Sequence, residues 1–461
     1  MAAAIWITLR KLREFRRNEK LTRGALEALK LAKFRRLATL AGQRSPYYAQ
    51  IIAERGIDVA SCAPADFPVL TKSVLMANFD RIVTDPRITR QSVAQFLTGS
   101  SDPNELLLDE YHVVHTSGSS GEVGYFVYSD ADWTSGMAQA ARRTLAPEPS
   151  KKRQRGGRFR MAFYGATGGH FAGVSMVSGG RRGISRLFVE VGLFEINSPL
   201  PQVISQLNDF QPDYLAGYTT GLKILAEKQR QGELRIAPRL MNAGGESMSP
   251  ADKAELEAAF QCEAVSGYGC TEHLMMGRSI PGSSSMMLYD DDLIFEFHAD
   301  HCVITNLFNS TLPLIRYRMS DILRPVAKPG TALPYIEIDS LVGRTELVPT
   351  FVNRDGVTDF ISPHTINELF VAGVTRFQLQ LMGSDRFRFM VCLDAALSTE
   401  QRGVALAGMQ QRLREVLDQK LMDNVTFEVI VVADLPPNPR TRKFQLIVDA
   451  RSSQSPGQSP G

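Results

Sequence analysis

Strand-like and helix-like segments alternate between residues 159 and 260, and this alternation restricts the fold more than any other feature of the chain. Apolar runs predict strands over residues 159–164, 214–216 and 239–242. Helical patterns between and after them cover residues 199–210, 221–231 and 250–260. Such an order is typical of an α/β protein with a parallel sheet, in which ligands bind in the turns at the carboxyl ends of the strands.

The turns that follow two of these strands are rich in small and polar residues. The first reads N-A-G-G-E and the second, after a further short strand, reads S-G-Y-G-C-T-E. Because both turns follow strands of one predicted sheet, we expect them to face a ligand. The candidate residues in these turns are Gly244, Gly245, Glu246, Tyr268, Gly269, Thr271 and Glu272.

A loop of serine and glycine precedes the alternating region. Residues 115–124 read H-T-S-G-S-S-G-E-V-G, and a strand is predicted over residues 125–128. Glycine lets several backbone amides face one point, and the hydroxyls add donors without bulk, which suits the phosphates of a nucleotide. The spacing and the lysine of a Walker loop are absent, and a plain flexible loop is the alternative interpretation. The phosphate-binding candidates are Thr116, Ser117, Gly118, Ser119, Ser120 and Gly121.

The pattern changes after residue 293. Strands predicted over residues 293–297, 302–306 and 313–318 form a β subdomain that closes a large N-terminal domain over residues 1–341. Two strands, a long helix over residues 399–422 and another strand then predict a small C-terminal α+β domain over residues 342–450. We place the hinge between the domains at residues 343–346. The Ser/Pro/Gly/Gln-rich tail over residues 451–461 is expected to be disordered.

Charge and cysteine content exclude some classes of protein. Lys and Arg number 52 against 49 Asp and Glu, so the chain lacks the strong basic bias of a nucleic-acid-binding protein. The five cysteines are scattered and odd in number, which favours reduced thiols and a cytoplasmic location.

The N-terminal arm, residues 1–37, is the one charge-biased segment, with eleven Lys and Arg against three Glu. Apolar residues at helical spacing predict one or two amphipathic helices that pack on the body with a solvated basic face. Peripheral contact of a basic helix with anionic lipid is the alternative, and no segment is long and apolar enough to span a membrane.

Three charged residues add to the predicted site. Chemistry on ATP with Mg²⁺ requires an acid for the metal, an acid for the ribose hydroxyls and a cation for charge that develops on the α-phosphate. In this order, the candidates are Glu272, Asp321 and Lys443. Each alone has a structural alternative: a capping acid, a surface ion pair and a solvated lysine.

Taken together, these segments resemble the adenylate-forming superfamily of ligases. T-S-G-S-S-G is similar to its phosphate loop, G-Y-G-C-T-E to its Y-G-x-T-E motif and R-Y-R-M-S-D to its R-Y-x-x-G-D motif. G-R-T-E resembles its G-R-x-D hinge, and P-R-T-R-K resembles its C-terminal lysine segment. Residues 35–48 and 67–72 resemble the phenylacetate–CoA ligase branch, which includes relatives in capsule biosynthesis.

The resemblance covers about residues 30 to 450 and implies a role for each matched position. Thr116 to Gly121 would hold the β- and γ-phosphates, and residues 244–246 with Tyr268 and Gly269 would bracket the adenine. Thr271 would contact the α-phosphate, and Glu272 would help to hold Mg²⁺. Asp321, with Arg344 nearby, would bind the ribose.

The same resemblance implies a mobile small domain. Lys443 would bridge the carboxylate of the acid and the α-phosphate, and the hinge containing Glu346 would let the domain rotate between two half-reactions. Three positions depart from the family pattern: Ser320 and Arg442 replace glycines, and Glu346 replaces an aspartate. These departures leave the thioester half-reaction less firmly supported than the adenylation.

The resemblance therefore implies an ATP-dependent ligase that forms an acyl adenylate and then, with coenzyme A as co-substrate, a thioester. An adenylyltransferase or amide-forming ligase, and a non-catalytic relative that serves as a scaffold, are the alternatives. The turn after residue 163 predicts the acid pocket, with Tyr164, His170 and Phe171 flanking a small-molecule carboxylic acid. A structural role for His170 is the alternative there.

Overall fold

The computed structural model describes residues 2–116, 123–142, 157–179, 185–339, 347–367, 369, 371–435 and 445–451. Its described part begins with helices α1 (Ala2–Asn18), α2 (Arg23–Arg44), α3 (Pro46–Arg55), α4 (Lys72–Ala77), α5 (Phe79–Ile82) and α6 (Arg90–Gly99). Thr71 caps α4, because its hydroxyl accepts a hydrogen bond from the backbone amide of Val74 at 3.3 Å.

The serine/glycine loop connects two antiparallel strands, as the sequence predicts. Strand β1 (Tyr111–His115) pairs with β2 (Tyr125–Ser129), so that His115 lies opposite Tyr125. Helix α7 (Asp130–Ala140) follows directly, and the Ser129 hydroxyl caps it by accepting from the amide of Asp132.

The predicted parallel sheet is confirmed. Its region contains, in chain order, β3 (Phe159–Gly165), α8 (Ala172–Ser178), α9 (Ser185–Phe188), β4 (Val189–Glu195), α10 (Leu200–Phe210), β5 (Tyr214–Tyr218), α11 (Thr219–Arg230), β6 (Leu240–Gly244), α12 (Pro250–Phe260), β7 (Glu263–Cys270), β8 (Leu274–Ser279) and β9 (Ser285–Leu288). Strand β4 adds to the predicted set. Strands β4, β3, β5, β6 and β7 run parallel, so their carboxyl ends meet at one edge.

Antiparallel strands complete the large part of the molecule. Strands β10 (Leu293–Phe297), β11 (Cys302–Asn306) and β12 (Tyr317–Met319) form a separate sheet, and β13 (Glu337–Asp339) joins β9 at the edge of the eight-stranded sheet. The strand predicted over residues 313–318 is wrong at its start. Arg316 has φ 54°, a left-handed conformation that a continuous strand does not allow, and β12 begins only after it.

The C-terminal residues have a hydrophobic core of their own. The elements are β14 (Thr350–Val352), β15 (Thr358–Phe360), α13 (Pro363–Asn367), β16 (Val374–Leu381), β17 (Arg386–Leu393), α14 (Thr399–Gln419), β18 (Thr426–Val431) and β19 (Ile447–Asp449). Helix α14 buries Met409, Leu413 and Leu417 against a four-stranded sheet of order β18-β17-β16-β19. This arrangement confirms the predicted α+β character of the region.

Candidate active site

Two cavities lie side by side at the end of β7. The first has a volume of about 550 Å³ and the second about 1000 Å³. Gly245, Gly267, Gly269 and Cys270 line both, so the end of β7 and the turn after β6 form their common wall. This is the edge at which the sequence predicts a ligand site.

The first cavity is mainly apolar because strands present alternate residues to it. Phe159, Met161 and Phe163 of β3 line it, and so do Tyr214, Ala216 and Tyr218 of β5, in each case every second residue. Met137 of α7 and Met176 of α8 cover the other side. We call this space the apolar cavity.

One end of the apolar cavity is polar. Thr116, Thr271 and Glu272 line it there, together with Gly244 at the end of β6. Tyr128 holds the turn in place, because its hydroxyl lies 2.9 Å from the carbonyl oxygen of Thr271 and 2.8 Å from that of Glu272. Three predicted site residues are therefore brought together on the wall of one cavity.

Glu272 is a buried carboxyl group in this polar end. Burial raises its pKa above the ordinary value, although the charge of Lys72 opposes that shift. A partly desolvated acid of this kind gains from a nearby cation. It suits Mg²⁺, which binds proteins through one or two carboxylates and fills its other positions with water and phosphate oxygens.

Lys72 places a positive charge beside the phosphate-loop candidate. Its Nζ atom lies 3.4 Å from the Oγ1 atom of Thr116. The segment that carries it is tied to the R-Y-R-M-S-D segment, because the amide of Leu70 donates to the carbonyl of Arg316 and the amide of Arg318 donates to the carbonyl of Leu70, both at 2.9 Å. Two segments far apart in sequence thus meet at the site.

Thr116 also closes the neck of the serine/glycine loop. Its amide donates to the carbonyl of Gly124 at 3.0 Å, and its hydroxyl accepts from the amide of Gly124 at 2.8 Å. The remaining candidates of this loop, Ser117, Gly118, Ser119, Ser120 and Gly121, lie outside the described residues.

The lining of the second cavity includes more polar side chains than that of the first, among them several serines, and we call it the polar cavity. Asp321 lines it, and its Oδ2 atom accepts a hydrogen bond of 2.7 Å from the hydroxyl of Tyr268, which is also part of the lining. Glu246 lines it as well and accepts from the amide of Thr220 at 2.7 Å. Two carboxylates with fixed partners therefore face this space.

Glycine is required where the two cavities meet. Gly245 has φ +74°, and a Cβ atom there would lie 2.9 Å from the ring of Tyr218. A Cβ atom at Gly269 would lie 2.7 Å from the carbonyl oxygen of Leu274. At both positions a larger side chain would collide with its neighbours, so the common wall is built from glycine there.

Of the three residues predicted to flank the acid, the structure places one on the apolar cavity and two away from it. Phe171 lines the apolar cavity. Tyr164 does not, because it follows Phe163 on β3 and points to the opposite face of the sheet, where it is fully buried near Gly221 of α11. His170 is also buried away from the cavity, with Nε2 3.0 Å from the Ser100 hydroxyl, so its structural alternative is correct.

The C-terminal region touches the mouth of the apolar cavity. His364 of α13 lines the cavity, and its ring centroid lies 4.0 Å from that of Tyr218. Below this contact, a buried ion pair joins Lys420 to Asp359 at 3.1 Å, and Asp359 also accepts from the amide of Leu200 at 2.8 Å. These contacts hold the C-terminal region against the parallel sheet.

Arg344, Glu346 and Lys443 lie outside the described residues, as does the tail from residue 452. Sequence reasoning did not assign Lys72 or Tyr128 to the site. Lys72 has a signal in the sequence, since it ends the F-P-V-L-T-K segment, whereas nothing local distinguishes Tyr128 from other strand tyrosines.

The whole arrangement, an eight-stranded sheet with two cavities at its parallel edge and a β-α-β C-terminal region, is the fold of adenylate-forming acid–CoA ligases. A crystal structure of 2-hydroxyisobutyryl-CoA ligase in the postadenylation state aligns with a TM-score of 0.55 over 95% of this chain and 92% of that chain, at 17% sequence identity. The same ligase in its thioesterification state aligns with a TM-score of 0.56 over 94% and 91% of the two chains, also at 17% identity.

Sequence comparison also finds a relative of this chain. Protein CapK of Staphylococcus aureus is 22% identical in an alignment of 306 positions that covers 60% of this chain and 58% of CapK. The match therefore spans less than two thirds of that relative. No family model matches the sequence.

Proposed function

We propose that this protein is an enzyme that activates a carboxylic acid with ATP to form an acyl adenylate and then transfers the acyl group to coenzyme A. The observation that carries the proposal is the junction of the two cavities. An apolar space and a polar space open on the same short segment, residues 267–272, whose end carries Thr271 and Glu272. An acid in the first and a nucleotide in the second would meet there.

The polar cavity would bind the nucleoside. Asp321 would accept hydrogen bonds from the ribose hydroxyls, and the 2.7 Å bond from Tyr268 orients its carboxylate for that role. Residues 244–246, Tyr268 and Gly269 would bracket the adenine, and the small side chains of the common wall allow close approach. Arg344 would lie near the ribose.

The polar end of the apolar cavity would hold the phosphates. Thr116 and the loop residues after it would bind the β- and γ-phosphates, and Thr271 would contact the α-phosphate. Lys72 would supply a charge that the loop itself lacks, because its ammonium group reaches the Thr116 hydroxyl. With Glu272 as its ligand, Mg²⁺ would offset the negative charge of the phosphates.

Movement of the C-terminal region would separate the two half-reactions. Lys443 would neutralise charge between the carboxylate and the α-phosphate during adenylation, and residues 343–346, including Glu346, would act as the hinge between units 1–341 and 342–450. Rotation would have to break the contact of His364 with Tyr218 and the tie from Asp359 to Leu200.

The apolar cavity indicates the class of acid. Its methionine and aromatic lining favours an aryl or alkyl acid over a sugar acid or an amino acid, which is consistent with the phenylacetate–CoA ligase branch. We place the reaction in the cytoplasm, where ATP and coenzyme A are available and the five cysteines, all free among the described residues, stay reduced.

The test is pyrophosphate release from ATP and Mg²⁺ with a panel of aryl and alkyl carboxylic acids, with and without coenzyme A. We expect release that depends on the acid, and a thioester product in mass spectrometry when coenzyme A is present. Release without thioester would favour the adenylyltransferase or amide-forming alternative. No acid-dependent release with any acid of the panel would contradict the proposal.

Lys443→Ala sharpens this test. The variant should lose most acid-dependent turnover, by about 10²- to 10³-fold, while ATP still binds. Lys328→Ala, at an exposed lysine outside both cavities, is the matched control. Unchanged turnover of Lys443→Ala would exclude the proposed role of this lysine.

A further inference from the structure

Helix α1 is held on the body by its polar face. The ammonium group of Lys11 lies 2.8 Å from the Oδ2 atom of Asp292, and the side-chain amide of Asn18 donates to Asp291 at 2.9 Å. Phe15, between them, is buried beneath the guanidinium group of Arg142 at 4.6 Å. These contacts fix the rotation of the helix about its axis.

The ion pairs that hold α1 are buried. Burial opposes ionisation of Asp292, but Lys11 and Lys33 outweigh it and hold the pKa of Asp292 below its ordinary value. The pKa of Lys33 is raised above its ordinary value. Burial opposes the charge of this lysine, but the negative charges of Asp292 and Glu14 outweigh that effect. Neither charge changes near neutral pH, so α1 keeps one orientation.

The opposite face of α1 is exposed and has two parts. Its first half presents Ile5, Trp6 and Leu9, with 43%, 61% and 48% of their surface exposed. Its second half presents four exposed arginines, Arg10, Arg13, Arg16 and Arg17. At about 100° per residue, these seven side chains occupy an arc of about 140° on the helix. We call this arc the α1 outer face.

No acidic side chain interrupts the α1 outer face. Glu14 is the one acid in the helix, and it turns inward to pair with Lys33 at 2.5 Å. The guanidinium group of Arg10 lies 5.0 Å from the ring centroid of Trp6, so the cationic part begins where the apolar part ends. The α1 outer face thus joins three exposed apolar side chains to four exposed arginines, a combination that marks interaction surfaces.

We propose that the α1 outer face binds the surface of an anionic lipid bilayer. Tryptophan and aliphatic side chains favour the boundary between headgroups and acyl chains, and arginines favour lipid phosphates. A second copy of the chain is a poor fit, because the same face of that copy carries no acidic side chain to neutralise the arginines. The contact is peripheral: among the described residues, no helix is long and apolar enough to cross a membrane.

Attachment through this face leaves the substrate sites accessible. None of its seven side chains lines either cavity. The proposal does not depend on the proposed function, and its test needs no substrate.

The experiment is co-sedimentation of the full chain with vesicles of phosphatidylcholine, with or without phosphatidylglycerol. We expect binding to the anionic vesicles alone, reversed by high salt because the arginine contacts are screened. Emission from Trp6 should shift to shorter wavelength on binding. Trp133, the second tryptophan of the chain, is buried and should contribute a constant background.

A charge-matched pair of variants identifies the face. Arg13→Glu/Arg16→Glu should weaken binding to anionic vesicles at least about tenfold, since each basic residue near such a surface contributes to the affinity. Arg412→Glu/Arg414→Glu, which changes the net charge equally at exposed positions of α14, should bind like the parent. Melting temperatures of both variants confirm that they fold.

Three outcomes would overturn the proposal. One is absence of binding to anionic vesicles, and another is equal loss of binding in the two arginine variants. The third is a dimer in solution that Trp6→Ser dissociates while vesicles bind neither protein, which would assign the face to a second copy.

Discussion

The two cavities share one wall but differ in how their linings are built. Strand residues at every second position line the apolar cavity, and helices α7 and α8 cover it. Much of the polar cavity is lined by turns, among them residues 245–249 after β6 and residues 320–322 after β12, and the rest is lined by α12 and by strands such as β7. Strand periodicity sets the first, and the geometry of particular turns sets the second.

This difference indicates which kind of substrate each cavity suits. A lining of alternating strand side chains can change in size without altering the sheet, which suits a space that selects among acids. A lining made in large part by turns at the carboxyl ends of strands suits a ligand that does not vary, such as a nucleotide. Substitutions in the two linings should therefore affect different substrates.

The largest effect is expected at the polar end of the apolar cavity. Glu272→Gln keeps the shape of the side chain but removes the charge that would face Mg²⁺, so acid-dependent turnover should fall by about 10³-fold. Glu54→Gln, at an exposed carboxyl group of α3 outside both cavities, is the control and should retain activity. Turnover is measured as pyrophosphate release.

The same substitution should stabilise the protein in the absence of ligands. Burial raises the pKa of Glu272, so the folded state disfavours the ionised carboxyl. The free energy of unfolding of the parent therefore falls as pH rises through the ordinary pKa of glutamate toward the raised value, and the loss is complete above it. Above that range the melting temperature of Glu272→Gln should exceed that of the parent, and an equal or lower value would argue against this account of Glu272.

The next effect is expected at Lys72. Lys72→Ala removes the ammonium group beside Thr116, and turnover should fall by about 10²-fold with little change in KM for the acid. Lys72→Arg, which retains the charge, should recover part of that loss. If alanine and arginine variants are equally impaired, Lys72 acts by holding the local structure instead of by its charge.

A smaller, selective effect is expected inside the apolar cavity. Ala216→Leu adds bulk at a cavity-lining position, so KM should rise about tenfold for the largest acid that the parent accepts and stay unchanged for the smallest. Ala407→Leu adds the same bulk at an exposed position of α14 and is the matched control. An equal effect on all acids would show that the acid binds elsewhere.

The smallest effect is expected from Tyr268→Phe. It removes the hydroxyl that donates to Asp321, and KM for ATP should rise about fivefold because one hydrogen bond to a charged group is lost. Tyr214→Phe removes a hydroxyl on the apolar side and should leave KM for ATP unchanged. If Tyr214→Phe raises KM for ATP and Tyr268→Phe does not, the nucleotide binds in the apolar cavity and the acid in the polar cavity.

Local patterns predicted much of the fold. The parallel strands, the helices between them and the α+β C-terminal region follow from hydrophobic periodicity, and the cap at Thr71 follows from its hydroxyl. The same periodicity explains why Tyr164 does not line the cavity. Neighbouring residues on a strand face opposite sides of the sheet, and Phe163 is the one that faces the cavity.

Long-range contacts are what the sequence did not reveal. The arm packs on the body with exposed arginines, as predicted, but the sequence did not show that Lys11 and Lys30 are buried against Asp292 and Asp290, which lie more than 250 residues away in the chain. The approach of Lys72 to Thr116 depends in the same way on the backbone pairing of Leu70 with residues 316–318. No local pattern encodes such pairings.

The most direct test of the division between the cavities is a comparison of both Michaelis constants in two variants. KM for ATP and KM for the acid are measured in Asp321→Ala and in Ala216→Leu, with the acid that the parent prefers. We predict that Asp321→Ala raises KM for ATP about 30-fold without changing KM for the acid, because a charge-assisted hydrogen bond is lost. Ala216→Leu should raise KM for the acid alone. If each variant raises both constants equally, or if the two effects are exchanged, the cavities do not divide the substrates as described.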